Sequence, residues 1–282
     1  MKIFLNNQLV EFARFPNDEL NFNDPGFRAQ TMESLYIKRR CDVKVYDFDT
    51  GALFPLIALT EYLRDLLEIK LKFTLILPYL PYSRMDRKVK QNDFFMLQTF
   101  ARVINSLKYD EVYTLCAHSD VGPALINNCI NDMSFHRDHL ERSRRLRAED
   151  ILIFPDATAC KRYDSIDHPN KIYCNKKRDW ETGELTGVTC HILDDLRASE
   201  IPRTAHILDD LCSYGGTFQL VMDEINKYYP NNNLQYVLVV PHTEAAIEQG
   251  GLLDRPDLLS VYTSDSMGVN YTHEKIKILA NI

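Results

Sequence analysis

ILDDLCSYGGTF, residues 207–218, reads as a strand, two carboxylates directly after it, a short glycine-containing loop, and then the start of a helix. In an open α/β sheet, ligands bind outside the carboxyl ends of the strands, and the free backbone N–H groups of a helix N-terminus accept phosphate. Asp209 and Asp210 can accept hydrogen bonds from adjacent ribose hydroxyls. Gly215 and Gly216 let the backbone approach a phosphate, and Thr217 adds a hydroxyl. The stretch therefore predicts an α/β sheet with a phosphate-plus-diol site in outline. On these residues alone, a solvent-facing acidic turn is the plainer alternative.

The same rhythm extends in both directions. Apolar runs at 44–48, 73–77 and 112–116 alternate with stretches of helical spacing at 53–66 and 94–107. Strand-like runs return at 151–154, 171–174, 206–208 and 235–240, with a helix expected over 217–229 and ending near Pro230. Such alternation indicates βαβ units and a mostly parallel sheet. A length of 282 residues suits two α/β domains of similar size, 1–148 and 149–282, divided near the arginine-rich stretch before Asp150. HILDDL occurs twice, at 191–196 and 206–211, and only the second copy is followed by glycines. The first is expected to be a strand and acidic turn in a neighbouring strand; a second metal or diol site is the alternative.

Apolar residues make up 45% of the chain and aromatics 11%, enough to fill real cores, so disorder is not expected. The longest apolar runs fall far short of the roughly 20 residues that cross a bilayer, and the N-terminus shows no secretory signal pattern. A cytoplasmic location and no membrane partner are the expectation. A formal net charge of −7 argues against a nucleic-acid partner. The run 137–147 nevertheless holds five arginines, either a solvated helix face or loop, or an anion site, and His136 and His139 do not by themselves make it a metal site. Seven cysteines with no CxxC pair fit neither a disulfide framework nor a zinc site, so reduced, mostly buried thiols are expected. Neither a Walker A pattern nor GxGxxG occurs, which excludes an ordinary P-loop for nucleotide.

Residues 207–218 resemble the sugar-phosphate loop of type I phosphoribosyltransferases and of the ribose-phosphate pyrophosphokinases (PRPP synthetases). LPYLPYSRMDRK at 77–88 is similar to the ATP-contacting stretch of the latter family, which simple phosphoribosyltransferases lack. FPNDE at 15–19, PDATACKR at 155–162 and NKKR at 175–178 match further family motifs in the family's order. The resemblance implies two type I phosphoribosyltransferase-like domains, each a mostly parallel sheet flanked by helices. It implies that Arg84, Asp86 and Arg87 meet the triphosphate region of ATP. Phe15, Asn17 and Glu19 of a neighbouring subunit would hold the adenine, which makes a homo-oligomer, dimer or hexamer, the expected state. His118 matches a metal-linked histidine that also borders ATP, and Asp156 a second contact to Mg²⁺. Asp209, Asp210, Ser213, Tyr214, Gly215, Gly216 and Thr217 match the ribose-phosphate site. Lys176 and Arg178 match a catalytic loop, continued by the polar stretch to residue 187.

By this resemblance the chemistry is transfer of the β,γ-pyrophosphoryl group of ATP to the C1 hydroxyl of ribose 5-phosphate, feeding nucleotide or NAD synthesis. Without the family, Lys176 to Arg178 would read as a solvated charge run, Phe15 as core and His118 as an ordinary satisfied histidine. The sequence departs from the family where Ser213 and Tyr214 replace Asp-Thr, Met85 replaces glutamine, and Cys116 replaces an aspartate two residues before His118. SDVGPALIN, which follows His118, also differs from the family, and no closing helix is expected after KIKIL. Most departures surround the acceptor. That suggests the same chemistry on ADP-ribose, in an NAD⁺-salvage route, as an alternative. A catalytically silent regulatory subunit is disfavoured by the retained Lys176, Arg178, His118, Asp209 and Asp210. A base-using phosphoribosyltransferase is disfavoured by residues 77–88.

Overall fold

The computed structural model describes residues 2–17, 19–21, 39–48, 50–66, 71–90, 92–142, 146–178, 185–191, 204–229 and 234–280. It divides into two compact units: Met1–Asp132 with Ser266–Gly268, and Met133–Asp265 with Val269–Ile282. Among the described residues no helix is long and apolar enough to cross a membrane.

The first unit begins with β1 (Lys2–Leu5) and β2 (Gln8–Val10), a hairpin, and β3 (Ala13–Arg14) and β4 (Leu20–Asn21), a second small hairpin. Then come β5 (Arg40–Tyr46), β6 (Lys72–Leu77), β7 (Glu111–Leu115) and β8 (Cys129–Asp132). Among the described residues one sheet has the order β2-β1-β5-β6-β7-β8. Its last four strands are parallel, and β1 runs antiparallel to its neighbours. In β5 (RCDVKVY) every second residue is buried, whereas the central β6 (KFTLIL) buries both faces because helical crossovers cover it. The helix Leu53–Leu66 connects β5 to β6. Met96–Ser106 connects β6 to β7 and turns Leu97, Phe100, Ala101 and Ile104 inward. Each large apolar side chain so buried contributes about 1.5–3 kcal/mol.

The second unit contains β9 (Ile151–Phe154), β10 (Lys171–Arg178), β11 (Leu185–His191), β12 (Thr204–Leu208), β13 (Leu211–Cys212), β14 (Gln235–Val239), β15 (His242–Thr243), β16 (Leu258–Ser264) and β17 (Ile276–Ala280). The larger sheet has the order β11-β10-β9-β12-β14-β16-β17 and is parallel except at β10–β11. β9, β12 and β14 are apolar and buried nearly throughout, as central parallel strands require. β13 and β15 form a short parallel pair just past the ends of β12 and β14. The helix Gly216–Asn226 follows β13 and buries Phe218, Val221, Met222 and Ile225 at helical spacing.

Two expectations change. The run expected to end at residue 174 continues as β10 to Arg178, so Lys176 and Arg178 lie on a strand rather than in a loop, held by antiparallel pairing to β11. Cys174 and Cys190, directly opposite each other across that hairpin, are joined as a disulfide, contrary to the expectation of reduced thiols. Their separation of 16 residues carries no local motif, and only strand register brings them together. Cys41, Cys116, Cys129, Cys160 and Cys212 are thiols outside any disulfide, and three of them, Cys41, Cys116 and Cys212, are buried. The first HILDDL copy begins at the last residue of β11, and the rest of it lies outside the described residues, as do 179–184 of the polar stretch and 143–145 of the basic run.

Candidate active site

Three adjacent strands of the second unit, β10, β9 and β12, carry the charged residues of the site on or just beyond their carboxyl ends. Asp156, two residues after β9, caps the helix Ala157–Tyr163, and its Oδ1 accepts from the amides of Thr158 and Ala159, both at 2.9 Å. Its Oδ2 accepts from Lys176 Nζ on β10 at 2.6 Å. Desolvation pushes the Asp156 carboxyl up, but the Lys176 hydrogen bond and the helix amides outweigh it and hold the group below the ordinary carboxylate range. Asp156 is therefore ionised and fixed.

Asp209 and Asp210, just past β12, are both buried. The amide of Asp210 donates to Asp209 Oδ1 at 2.9 Å, a local turn that points the first carboxylate back along its own chain. Burial, then the charge of Asp210, then that of Asp156 raise the Asp209 carboxyl well above its usual value, with Lys176 acting in the opposite sense. Two buried acids side by side, only partly offset by Lys176, are costly, of the kind found at sites that bind ligands.

The chain then turns through Ser213, partly exposed, and Tyr214, exposed, to Gly215, which sits at φ +85° as the residue before the helix Gly216–Asn226. A side chain at Gly215 would be strained in this left-handed backbone and would also lie 2.6 Å from Leu252. A Cβ on Gly250 would overlap the carbonyl oxygen of Tyr214, so a second glycine, far away in sequence, is what lets the loop close. Gly216 has open space, and Thr217 lies partly exposed in the first turn, beside the unpaired amides that suit an anion.

The remaining candidates lie in the first unit. The stretch 77–88 leaves the end of β6 in successive turns, with the Met85 amide donating to the Tyr82 carbonyl at 2.8 Å and Tyr82 at φ +60°. Arg84 is exposed, and the 74% exposed Arg87 lies 3.2 Å from the buried Asp86. His118 is partly exposed, three residues past β7. Just before it, Cys116 adopts φ +41°, its amide donates to the Asp132 carbonyl at 2.8 Å, and the Ala117 amide donates to Asn131 Oδ1 at 2.9 Å. Phe15, Asn17 and Glu19 stand exposed on the β3–β4 turn, which is closed by the Phe15 amide on the Glu19 carbonyl at 2.9 Å and the Glu19 amide on Asn17 Oδ1 at 3.3 Å. Sequence reading missed Gly250, Leu252 and the Cys174–Cys190 link. Each matters only through contacts between distant segments.

No family model matches the sequence. A ribose-phosphate pyrophosphokinase of Saccharolobus solfataricus is 25% identical over 175 residues, 58% of this chain and 55% of that protein. One from Sulfurisphaera tokodaii is 26% identical over 211 residues, 74% of this chain and 68% of that protein. The match thus spans little more than half the length of the first relative and about two thirds of the second. The phosphoribosylpyrophosphate synthetase of Mycobacterium smegmatis has the same fold, with a TM-score of 0.69 at 15% identity over 95% of this chain and 85% of that one. The chain is thus similar in sequence to ribose-phosphate pyrophosphokinases over part of its length, and shares the fold of a phosphoribosylpyrophosphate synthetase over most of it.

Proposed function

We propose that the chain is a diphosphotransferase that moves the β,γ-pyrophosphoryl group of ATP to the C1 hydroxyl of ribose 5-phosphate, giving PRPP and AMP. The observation that carries this reading is the convergence of Lys176, Asp156 and the Asp209–Asp210 pair at the ends of three neighbouring strands, beside a glycine loop that opens onto a helix N-terminus. The helix amides and Thr217 hold the 5-phosphate, and the acid pair takes the ribose diol. The sugar's C1 hydroxyl is then placed to attack the β-phosphorus of ATP in line, with AMP leaving, so the protein's task is positioning and charge neutralisation. Lys176 brings a compact cation to oxygens that gain charge, and Arg178, on the same strand, a bidentate fork. Arg84, Asp86 and Arg87 serve the triphosphate. Phe15, Asn17 and Glu19 are presented for the adenine bound by a second copy in a homo-oligomer. An ionised Asp156 fits Mg²⁺, which binds through one or two carboxylates plus phosphate and water oxygens, with His118 acting through water. The ion would neutralise charge on the transferring group.

One observation favours ADP-ribose as acceptor. The Tyr214 ring is 58% exposed where the family has a small residue, while its backbone is pinned against Gly250. A rigidly based aromatic at the rim is suited to stacking on a second nucleotide half. Mass spectrometry of products from ATP, Mg²⁺ and either ribose 5-phosphate or ADP-ribose, with Lys176→Ala as control, decides. PRPP plus AMP establishes the first reading, pyrophosphorylated ADP-ribose the second, and AMP from neither refutes both in favour of a silent regulatory subunit.

A further inference from the structure

His136 has no part in the roles assigned above, yet it lies directly behind the acid pair. It is carried by the single turn Phe135–Arg137, four residues beyond Asp132, and is 1% exposed. Its Nε2 lies 2.9 Å from the carbonyl oxygen of Asp209 and 3.1 Å from that of Val239. Both partners only accept, so Nε2 carries the hydrogen and shares it between them, and a neutral ring in this place is the Nε2–H tautomer. Nδ1 is buried without a hydrogen-bond partner among the described residues. Burial accordingly holds the imidazole down to about 4, although the two carbonyls and Asp210 favour its charged form. The Tyr163 ring, with centroids 4.0 Å apart, keeps the imidazole from turning.

The two carbonyls belong to the places where β12 and β14 run out. The Asp209 amide still donates to the Val239 carbonyl at 3.3 Å, and beyond it the pairing passes to β13 and β15. The Val239 carbonyl is thus the last ladder acceptor between β12 and β14, whereas the Asp209 carbonyl lies just past the paired residues of β12, where the imidazole reaches it. The Asp209 carbonyl and the Asp210 amide belong to one planar peptide, and that amide is the donor that holds the Asp209 carboxylate. One imidazole N–H thus orients the peptide on which the direction of both carboxylates depends. We propose that His136 is a positioning residue for the ribose diol: its Nε2–H locks the Asp209–Asp210 peptide so that both carboxylates are set before the sugar arrives. A neutral donor suits this place, since a lysine or arginine there would form an ion pair with the acids and draw them from the ligand. The proposal rests on the ribose-phosphate reading of the loop.

His136→Phe keeps a planar ring and removes the donor, and His136→Gln puts an amide N–H at the reach of Nε2. Calorimetric titration with ribose 5-phosphate, ADP-ribose and a non-hydrolysable ATP analogue compares both variants with the wild type. For whichever sugar the wild type binds, His136→Phe is expected to weaken affinity about tenfold, the size of one lost hydrogen bond with its preorganisation. ATP-analogue affinity should stay within about twofold, and His136→Gln should recover the sugar affinity to within about threefold. Unchanged sugar affinity in His136→Phe, equal loss in both variants, or parallel loss of sugar and nucleotide overturns the proposal. A wild type that binds neither sugar overturns the ribose-phosphate reading, and the proposal with it, before any variant is compared. If His136→Phe does not fold, the ¹⁵N–¹H spectrum of the wild-type imidazole decides: a protected Nε2–H supports the lock, and an Nδ1–H tautomer or a charged ring overturns it.

Discussion

The two stretches that carry most of the family likeness differ in what holds them. Around the loop 207–218 the protein supplies nearly everything itself. Two acids are buried, an amide is folded onto the first of them, Gly215 sits at φ +85° under Leu252, and Gly250 presses against the Tyr214 carbonyl. The stretch 77–88 holds its turns, but its cations reach outward, with Arg84 and Arg87 exposed. The first arrangement is rigid and already strained electrostatically before a ligand binds. The second leaves its two arginines open to solvent. Substitutions in the first should therefore register in stability as well as in binding, and those in the second in binding alone.

The largest effect is expected at Lys176, because it joins the site's chemistry to the frame through Asp156 at 2.6 Å. Lys176→Ala should lower kcat by about 10²–10³, the usual loss for one donor to developing charge. Quenched-flow measurement of AMP release, with KM for both substrates, checks this. A change confined to KM would remove Lys176 from the chemical step.

Next comes the loop's packing. Gly215→Ala meets both a left-handed backbone and Leu252 at 2.6 Å, and should cost about 1–3 kcal/mol of stability together with most sugar affinity. Gly216→Ala, with open space around it and at the start of the helix, should stay within about 0.5 kcal/mol of the wild type. Denaturant melts of the pair test the contrast. Equal behaviour would mean that the loop is not held as described. Arg87→Ala should leave those melts unmoved, also within about 0.5 kcal/mol. It should raise KM for ATP about tenfold, as expected for one charge-assisted phosphate contact. A drop in stability there would erase the distinction between the two stretches.

Much of this was legible in the sequence because it is local. Strand, acid pair, glycine turn and helix follow one another in twelve residues at 207–218, and the central strands β9, β12 and β14 are apolar runs with no competing period. What escaped was long-range. Lys176 to Arg178, as three consecutive cations, carry the composition of a loop, and only pairing with β11 makes them strand. The Cys174–Cys190 link is a matter of register. Gly250 has no local signal at all, since its smallness serves a carbonyl 36 positions earlier in the chain, at Tyr214. His136 stands next to a basic run and is weighed from sequence only as a possible metal ligand, whereas what matters is its burial against the carbonyls of Asp209 and Val239.

The smallest expected effect sharpens the contrast most, because it has an unusual sign. Asp156 and Asp209 both flank Lys176 electrostatically, but their carboxyls shift in opposite directions. Asp156, held low, contributes stability that is present above the ordinary carboxylate range and is lost as the pH falls through its depressed native value. Asp209, held high, behaves conversely: its contribution is complete below about pH 3.8 and is lost as pH rises from there through its raised native value. At neutral pH the fold therefore carries Asp209 at a cost. Asp209→Asn should match the wild type near pH 4 and exceed it near pH 8 by about 1 kcal/mol, or about 2–4 °C in Tm, while losing sugar affinity. Calorimetry across that range is the measurement. If Asp209→Asn is less stable than the wild type at pH 8, the acid pair is part of the scaffold. The expected crossover would show it to be held against the scaffold's preference, as a pair kept for binding would be.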